Sequence, residues 1–394
     1  MKIVRSLLLI SLLCCAAPGL ARKSQIPAAV VTAQTKQSVA AQSGLPDRLP
    51  ASEFSRLIRE LSEEGGSFHS DNLVSNETSL LHITDKLKQL SRPGGAYIGV
   101  GPEQNFTYIA KVRPRIAFIV DIRHLAAIQH LMYKAIFHLS PDRAQFLSRL
   151  LSRPLLKGRA PGANAPVNEL LDYFGATPAD EKLYASSLAE IGKMIRKDFQ
   201  YQLSEDEQKQ LEYLLTSFRD GGLDISYQTR YGFQRGNFPT LRELIAQTDL
   251  NGKTGHFLTN NVDYEFVRQL HLKNLIIPVT GDFAGQKAFA AIGDYLSKKG
   301  LVVSAFYTSN VEQYLFQNQV FDAFAANVKK LPVNDQSLFI RAVSGRSIHP
   351  ARVPGHRLIT LLQRIQVFLK DYDEGRYQSY WSLVTTNYIA ADQQ

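Results

Sequence analysis

The chain has 394 residues, of which 44% are hydrophobic and 21% are charged. This is the composition of a globular protein with a sizeable core, and it excludes fibrous and wholly disordered classes. The formal net charge of +9 favours anionic ligands or surfaces. Because Lys and Arg are spread along the chain and form no dense run, the sequence favours a solvated basic surface over nucleic-acid binding.

The first 21 residues have the pattern of a signal peptide. Lys2 and Arg5 precede an apolar stretch over 6–17, and small residues at 19–21 offer a cleavage point. The stretch is too short to cross a bilayer comfortably, so we expect export, periplasmic or secreted, with no stable membrane span after cleavage. A retained anchor is the alternative. Lipoprotein processing is less favoured, because Leu13 precedes Cys14 where a small residue is usual.

Both cysteines, Cys14 and Cys15, lie in this segment, so the exported chain is expected to lack disulfides and cysteine-ligated metals. The nine histidines form no H-x-x-x-H or H-E-x-x-H pair, and we predict no metal site. The G-x-S-x-G elbow of α/β-hydrolases and the P-loop motif are also missing from the sequence. Residues 22–50 are rich in Ala, Gln, Ser and Pro and are predicted to form a flexible leader.

A polar segment over 68–77 separates two predicted helices, one beginning near Ser52 and one with apolar residues over 80–90. Two interpretations of this segment stay open. Ser75 and Asn76 would cap the second helix, or the segment would line a ligand cleft. In the second case the candidate substrate-binding residues are Asp71, Asn72, Asn76 and Glu77.

A glycine-rich turn at Gly99 and Gly101 follows an apolar run and precedes a helix predicted over about 105–112. A second apolar run then ends at Asp121, so the segment is half of a nucleotide-binding β-α-β unit. The glycines allow close approach of the backbone to a ligand, and the helix start offers N–H groups. Asp121 lies 20 residues after Gly101, the spacing at which an acidic residue meets a ribose diol. The candidate cofactor-binding residues are Gly99, Gly101, Glu103, Asn105, Asp121 and Arg123.

A helix is predicted over 125–139, and residues 140–220 are predicted to be a helical insertion that forms a lid or a substrate-facing wall. Helices within it are expected near 144–151, 181–198 and 204–219, with a loop over 153–168. A polar and aromatic loop over 224–237 follows. It either holds a ligand, with Tyr227 as a candidate, or is an ordinary surface loop.

Four further strands are predicted at 255–259, 275–279, 301–307 and 337–343, and helices are predicted at 262–272, 285–299 and from 311. This alternation predicts a doubly wound, mostly parallel α/β sheet in a domain over 51–345, with N-terminal helices and the helical insertion. A helix near 357–371 and an aromatic tail complete the chain as a C-terminal segment over 346–394. Asp282 and Asn310 follow predicted strand ends and are candidate catalytic and substrate-binding residues, respectively.

Over residues 77–345, apart from the insertion, this order resembles the class I S-adenosylmethionine-dependent methyltransferases, a Rossmann-like superfamily. In that family a glycine loop lies beside the methionine part of the cofactor, and an acidic residue ending strand two binds the ribose. Gly99, Gly101 and Asp121 match these positions. The resemblance implies a methyltransferase-like Rossmann core and S-adenosylmethionine as cofactor. The stretch over 99–105 also resembles an uncharacterised group of exported bacterial proteins.

Two positions depart from the family loop, written D/E-x-G-x-G-x-G. Tyr97 occupies the acidic position, and Glu103 occupies the third glycine. Glu103 would bring a carboxylate towards the cofactor's own carboxylate, where like charges repel, or would hold an ammonium or hydroxyl group.

The leading hypothesis is an exported methyltransferase-like protein that binds a small nucleoside-type ligand. Methyl transfer would rely mainly on alignment, with Asp282 or Tyr227 as the catalytic helper. The alternative is a non-catalytic ligand- or partner-binding protein on a repurposed fold, because fold does not fix function. A nicotinamide oxidoreductase is a third hypothesis. The sequence gives no indication of a protein partner.

Overall fold

A six-stranded sheet forms the centre of the protein in the computed structural model, which describes residues 44–227, 238–344 and 348–391. The strand order is β3-β2-β1-β4-β5-β6. Neighbouring strands from β1 to β5 are parallel, and β6 is antiparallel to β5. The predicted α/β class with a mostly parallel sheet is therefore confirmed. The strands are β1 Ala96–Gly99, β2 Ile116–Asp121, β3 Ile276–Thr280, β4 Val303–Ser309, β5 Leu338–Ser344 and β6 Leu358–Arg364.

Fifteen α-helices occur in the described ranges. Those predicted from the sequence, apart from α14, differ from their predicted bounds by only a few residues. The helices are α1 Ala51–Leu61, α2 Thr84–Leu90, α3 Gln104–Val112, α4 His124–Leu139, α5 Arg143–Leu151, α6 Val167–Ala176, α7 Glu181–Lys197, α8 Glu205–Gly221, α9 Leu241–Ala246, α10 Asn261–Leu272, α11 Ala288–Lys298, α12 Val311–Gln317, α13 Phe321–Lys329, α14 Ile365–Asp373 and α15 Tyr380–Thr385. Helices α6, α9, α13 and α15 were not predicted from the sequence.

Strands β1, β2 and β3, which form one half of the sheet, are buried along their whole length. Parallel strands have continuous apolar sequences because helices cover both faces of the sheet. Their register brings strand ends together, since Gly99 is opposite Ile119 and Asp121 is opposite Thr280. Polar residues that follow these strands therefore lie close together at the same edge of the sheet.

The strand predicted at 255–259 is wrong, because these residues form a turn. The backbone N–H of Leu258 donates to Nδ1 of His256, and the Thr259 hydroxyl donates to the His256 carbonyl oxygen. His256 thus satisfies locally the groups that a strand would pair with a neighbour. The short apolar run over 257–258 belongs to the core without joining the sheet.

The helix predicted over 357–371 is wrong in its first half. Residues 358–364 form β6, and α14 begins only at Ile365. The strand pairs along its whole length with β5, from Leu338 opposite Arg364 to Ser344 opposite Leu358. The sheet therefore extends past residue 345, where the sequence had suggested that the α/β domain ends.

The segment over 140–220 is helical, as predicted, and contains α5 to α8. Ser204 caps α8 through a capping box, in which its hydroxyl accepts from the Glu207 N–H and Glu207 accepts from the Ser204 N–H. Helices α5, α7 and α8 pack against α4, which follows β2. The insertion is thereby connected to the strand that carries Asp121.

The predicted signal peptide, most of the predicted leader and residues 228–237 of the polar and aromatic loop lie outside the described residues. Among the described helices, none combines the length and the apolar character needed to cross a membrane.

Candidate functional site

A cleft of about 1130 Å³, including its mouth, lies at the carboxyl ends of β1 to β4. After β1 the chain adds β2 and β3 on one side of that strand, and it then crosses to place β4 on the other side. The strand order therefore reverses between β1 and β4. Ligands of open α/β sheets bind at such a switch point. The cleft is large enough for a ligand of nucleoside size. Its lining includes Gly101, Asp121, Arg123, Asp282, Ser309 and Asn310.

The loop between β1 and α3 is shaped by the buried side chain of Asn105. Its amide nitrogen donates to the carbonyl oxygens of Val100, Gly101 and Pro102, at 2.9, 3.1 and 2.8 Å. Its Oδ1 accepts from the Tyr97 hydroxyl at 2.8 Å. Asn105 thus satisfies three carbonyls in a turn that has no regular backbone pairing.

Each glycine in this loop has a distinct role. Gly101 has φ +82° and lines the cleft. An added Cβ at Gly99 would lie 2.0 Å from Oδ1 of Asn105 and 2.7 Å from the Tyr97 ring. Gly99 is therefore required for packing beneath the loop, and neither Gly99 nor Asn105 lines the cleft.

His130, on α4, supports the same loop from below. Its Nε2 lies 2.9 Å from the Gly101 carbonyl oxygen, so this nitrogen must carry the proton and donate. Burial lowers the pKa of His130 to about 4, which keeps the ring neutral at physiological pH. The histidine is a structural donor here.

Asp121 lines the cleft at the end of β2, but its carboxylate is engaged by Arg123. The Arg123 side chain donates to Oδ1 at 2.9 Å and to Oδ2 at 2.6 Å, and the Arg123 backbone N–H donates to Oδ1 at 3.0 Å. A carboxylate has about four lone-pair positions. Asp121 can therefore accept about one more hydrogen bond unless Arg123 moves. Arg123 also donates to the Asp71 carbonyl oxygen.

Glu77 forms the opposite wall of the cleft and is 1% exposed. Its Oε1 accepts from the Tyr307 hydroxyl and from the Ser309 hydroxyl, the latter at 2.5 Å. The Gln104 amide donates to the Tyr307 oxygen at 2.9 Å. No cation of the described ranges forms an ion pair with Glu77, and burial raises its pKa. Sequence reasoning missed Gln104, Tyr307 and Ser309.

Aromatic side chains form part of the mouth, where the rings of Phe68 and Tyr314 meet edge to face at 5.3 Å. Tyr227 also lines the cleft, and burial raises the pKa of its hydroxyl. Asp282 lines the cleft with its Oδ1 accepting from the Ala284 N–H at 2.9 Å. Both candidate catalytic residues thus line one cleft, where the Tyr227 hydroxyl is protonated at neutral pH, as a tyrosine ordinarily is.

The structure brings most of the candidate residues together at this cleft: Asn72, Asn76, Glu77, Gly101, Asp121, Arg123, Tyr227, Asp282 and Asn310. Four candidates are not in its lining: Asp71, Gly99, Glu103 and Asn105. Asp71 contributes through its backbone, and its Oδ2 accepts from the Tyr213 hydroxyl at 2.9 Å.

Glu103 lies beneath the cleft floor, among side chains that include Tyr133 and Phe146. Its Oε1 accepts from the Ser75 N–H at 3.1 Å, and its Oε2 has no hydrogen-bond partner within the described structure. Burial raises the pKa of Glu103 to about 7. The expectation that Glu103 touches a cofactor is not met by this placement, because the turn into α3 directs it towards the core.

The alternative that Ser75 and Asn76 cap the second helix is wrong. Helix α2 begins at Thr84, and its N-cap residue Ile83 makes no side-chain capping bond. The Ser75 hydroxyl instead accepts from the Glu77 N–H at 3.1 Å. The segment over 72–77 therefore forms cleft wall, which leaves no helix cap to explain its polar residues.

Fold and site together define an open α/β protein with a ligand-sized cleft at its topological switch point. The chain belongs to the family described as Domain of unknown function (DUF7790), which it matches over residues 72–157 and 173–393. Apart from Ser67 and Phe68, the cleft lining falls inside the matched ranges. A comparison with curated proteins gave no match.

We predict that Gly99→Ala lowers the free energy of unfolding by about 2 kcal/mol, because the new methyl group overlaps Asn105 and Tyr97. Gly162→Ala is the matched control, since a Cβ there meets no atom within 4 Å, and a change below about 0.5 kcal/mol is expected. Urea unfolding of both variants measures the difference. Equal stabilities would contradict the packing described for Gly99.

We also predict that Glu103 makes stability depend on pH. Its pKa is about 7 in the folded protein and 4.5 when unperturbed, so the folded state holds more protons between these values. The stabilisation is fully present below pH 4.5 and is lost as pH rises through 7. The free energy of unfolding of Glu103→Gln, measured relative to that of the wild type, should therefore rise by about 3 kcal/mol between pH 4.5 and 7.5.

Urea unfolding at several pH values measures this gain, with the exposed Glu64→Gln as control. Parallel pH profiles for wild type and Glu103→Gln would show that Glu103 has an ordinary pKa.

Proposed function

We propose that the protein binds a small nucleoside-type ligand in the cleft at the ends of β1 to β4, with S-adenosylmethionine as the first candidate. The observation that carries this proposal is the position of the cleft. It lies at the switch point of the sheet, with Gly101 in a left-handed conformation on one side and Asp121 at the end of the adjacent strand. These are the two features by which the sequence resembles the class I methyltransferases.

The chemistry of the lining fits such a ligand in two places and restricts it in a third. Glu77 supplies a buried carboxyl group without a cationic partner in the described structure, which suits the positively charged methionine part. The open backbone at Gly101 allows close approach. Asp121 could accept from one ribose hydroxyl, and a second would require Arg123 to move.

If the protein is an enzyme, methyl transfer is the reaction we propose. Bound S-adenosylmethionine would supply an electrophilic methyl group. The protein would contribute chiefly by orienting an acceptor in the cleft and excluding water. Tyr227, protonated at neutral pH, would donate a hydrogen bond to the acceptor, and Asp282 would accept one from it.

A second function is favoured by the Asp121–Arg123 pair. Because Arg123 already occupies most of the carboxylate, the cleft is also compatible with a non-catalytic protein that binds another small ligand or presents the cleft to a partner. Export, as the sequence predicts for residues 1–21, would favour this alternative, since S-adenosylmethionine is made in the cytoplasm.

Calorimetric titration with S-adenosylmethionine tests the proposal, and we expect a dissociation constant in the micromolar range. Asp121→Asn keeps an acceptor for Arg123 but removes the charge, and binding should weaken at least about tenfold. Asp263→Asn is the matched control. Asp263 is also a buried carboxylate, paired with Lys111 at 2.5 Å, but it lies outside the cleft lining.

If the affinity of Asp121→Asn for S-adenosylmethionine were unchanged, the ribose would not bind at Asp121. No binding to a folded wild-type protein would overturn the S-adenosylmethionine proposal and leave the second function.

A further inference from the structure

Three side-chain oxygens without hydrogen-bond partners in the described structure belong to residues that line the cleft. They are Oε2 of Glu77, Oε1 of Gln104 and Oδ1 of Asn72. Glu77 and Gln104 are 1% and 4% exposed, respectively. A buried polar atom without a partner costs free energy, so three of them in the lining of one cleft need an explanation.

The hydrogen bonds between these residues have a fixed direction. Tyr307 donates its only hydroxyl proton to Glu77, so towards Gln104 it can act only as an acceptor. The Gln104 amide nitrogen must therefore face Tyr307, which leaves its Oε1 unpaired. The Ser309 hydroxyl likewise donates its proton to Glu77. The hydroxyl protons of Tyr307 and Ser309 are therefore used within this group, and the buried atoms without partners, on Asn72, Glu77 and Gln104, are all acceptors.

The backbone is also unusual where these side chains are placed. Asn72 and Ser309 have φ +47° and +52°, in the left-handed region that non-glycine residues seldom adopt. At Ser309 the pairing of β4 with β5 shifts register, and such irregularities redirect a side chain. The strain is located where the Ser309 hydroxyl reaches Glu77.

A purely structural acid in this fold looks different. Glu312, at 0% exposure, pairs with Arg341, which donates from Nε at 2.8 and 2.9 Å, and it also accepts from the Thr308 hydroxyl. Both of its oxygens have partners. Glu77 is buried as deeply but has no cation of the described ranges beside it, although it lines a cleft. Within the part of the chain that the structure describes, the Glu77 carboxyl group is therefore buried without a positive partner.

We propose that the part of the cleft lined by Glu77, Gln104, Ser309 and Asn72, in which Tyr307 is hydrogen-bonded to Glu77 and Gln104, binds a primary ammonium group of the ligand. An ammonium group has three N–H donors and no acceptor, which matches three unpaired oxygens and one uncompensated carboxylate. The assignment rests on the proposed role of the cleft as a ligand site, but it does not require the ligand to be a nucleoside.

The test is calorimetric titration with 1,4-diaminobutane, with 1,4-butanediol as the uncharged analogue and 5′-methylthioadenosine as a nucleoside that has no ammonium group. We expect the diamine to bind and the diol to bind at least about tenfold more weakly, because hydrogen bonds to charged groups are the stronger ones. Glu77→Gln should weaken the diamine at least about tenfold and leave 5′-methylthioadenosine unchanged.

Glu103→Gln is the matched control, since it makes the same substitution in a buried carboxyl group that does not line the cleft. It should leave diamine binding unchanged. Thermal unfolding confirms that each variant is folded. Asn72→Gly, which removes one acceptor and suits a left-handed residue, gives a second variant with an expected loss of a fewfold.

The outcomes separate the two proposals. No diamine binding, equal binding of diamine and diol, or an unaffected Glu77→Gln variant would overturn the ammonium site. Equal diol binding would indicate that Glu77 is protonated and donates from Oε2. If the diamine binds through Glu77 while 5′-methylthioadenosine and S-adenosylmethionine do not bind, the nucleoside proposal fails and the ammonium site stands.

Discussion

The cleft depends on one internal constraint, the satisfaction of the carbonyl groups between β1 and α3. A chain that turns sharply from a buried strand into a helix has carbonyls that neither element can pair. Asn105 takes three of them, and Tyr97 fixes the orientation of Asn105. This arrangement leaves no space for a side chain at Gly99. The loop can therefore expose Gly101 to the cleft, because its polar groups are satisfied from below.

The same constraint explains the two departures from the methyltransferase-like motif. Tyr97, in the position where that motif has an acid, serves the packing of the loop and not the ligand. Glu103, in the third-glycine position, is directed towards the core and bonded to Ser75. An acidic group nevertheless reaches the cleft. Glu77 comes from the segment before β1, on the opposite wall.

Three buried carboxyl groups show how charge is distributed in this fold. Glu312 on α12 is paired with Arg341 on β5, and Asp121 is paired with Arg123 at the cleft. Glu77, as far as the described residues go, accepts only from the neutral donors Tyr307 and Ser309. An unpaired buried carboxylate is costly. A ligand cation would therefore bind more favourably beside Glu77 than beside Asp121 or Glu312, which already have arginine partners.

Much of the fold could be predicted from the sequence, because short apolar runs alternate with amphipathic helices and polar turns. Gly101 and Asp121 were found through their spacing along the chain. Periodicity failed at β6, since four of the five residues over 358–362 are apolar and the run fits a helix as well as a buried strand. It also failed at 255–259, where His256 replaces strand pairing with local bonds.

The rest of the site could not be found in this way. Tyr307 and Ser309 lie 230 and 232 residues from Glu77 along the chain, and only the folded sheet brings them together. The Asp121–Arg123 pair is different. Its partners are two residues apart, so the local sequence could have suggested that the carboxylate is engaged.

Hydrogen–deuterium exchange with and without saturating S-adenosylmethionine would test most directly whether the cleft at the switch point is the ligand site. If it is, exchange should slow at the ends of the four strands that meet there, over 97–104, 119–123, 279–283 and 307–311, and should stay unchanged in α14 and α15, which do not line the cleft. Slowing confined to other segments, or none at saturation, would contradict the account.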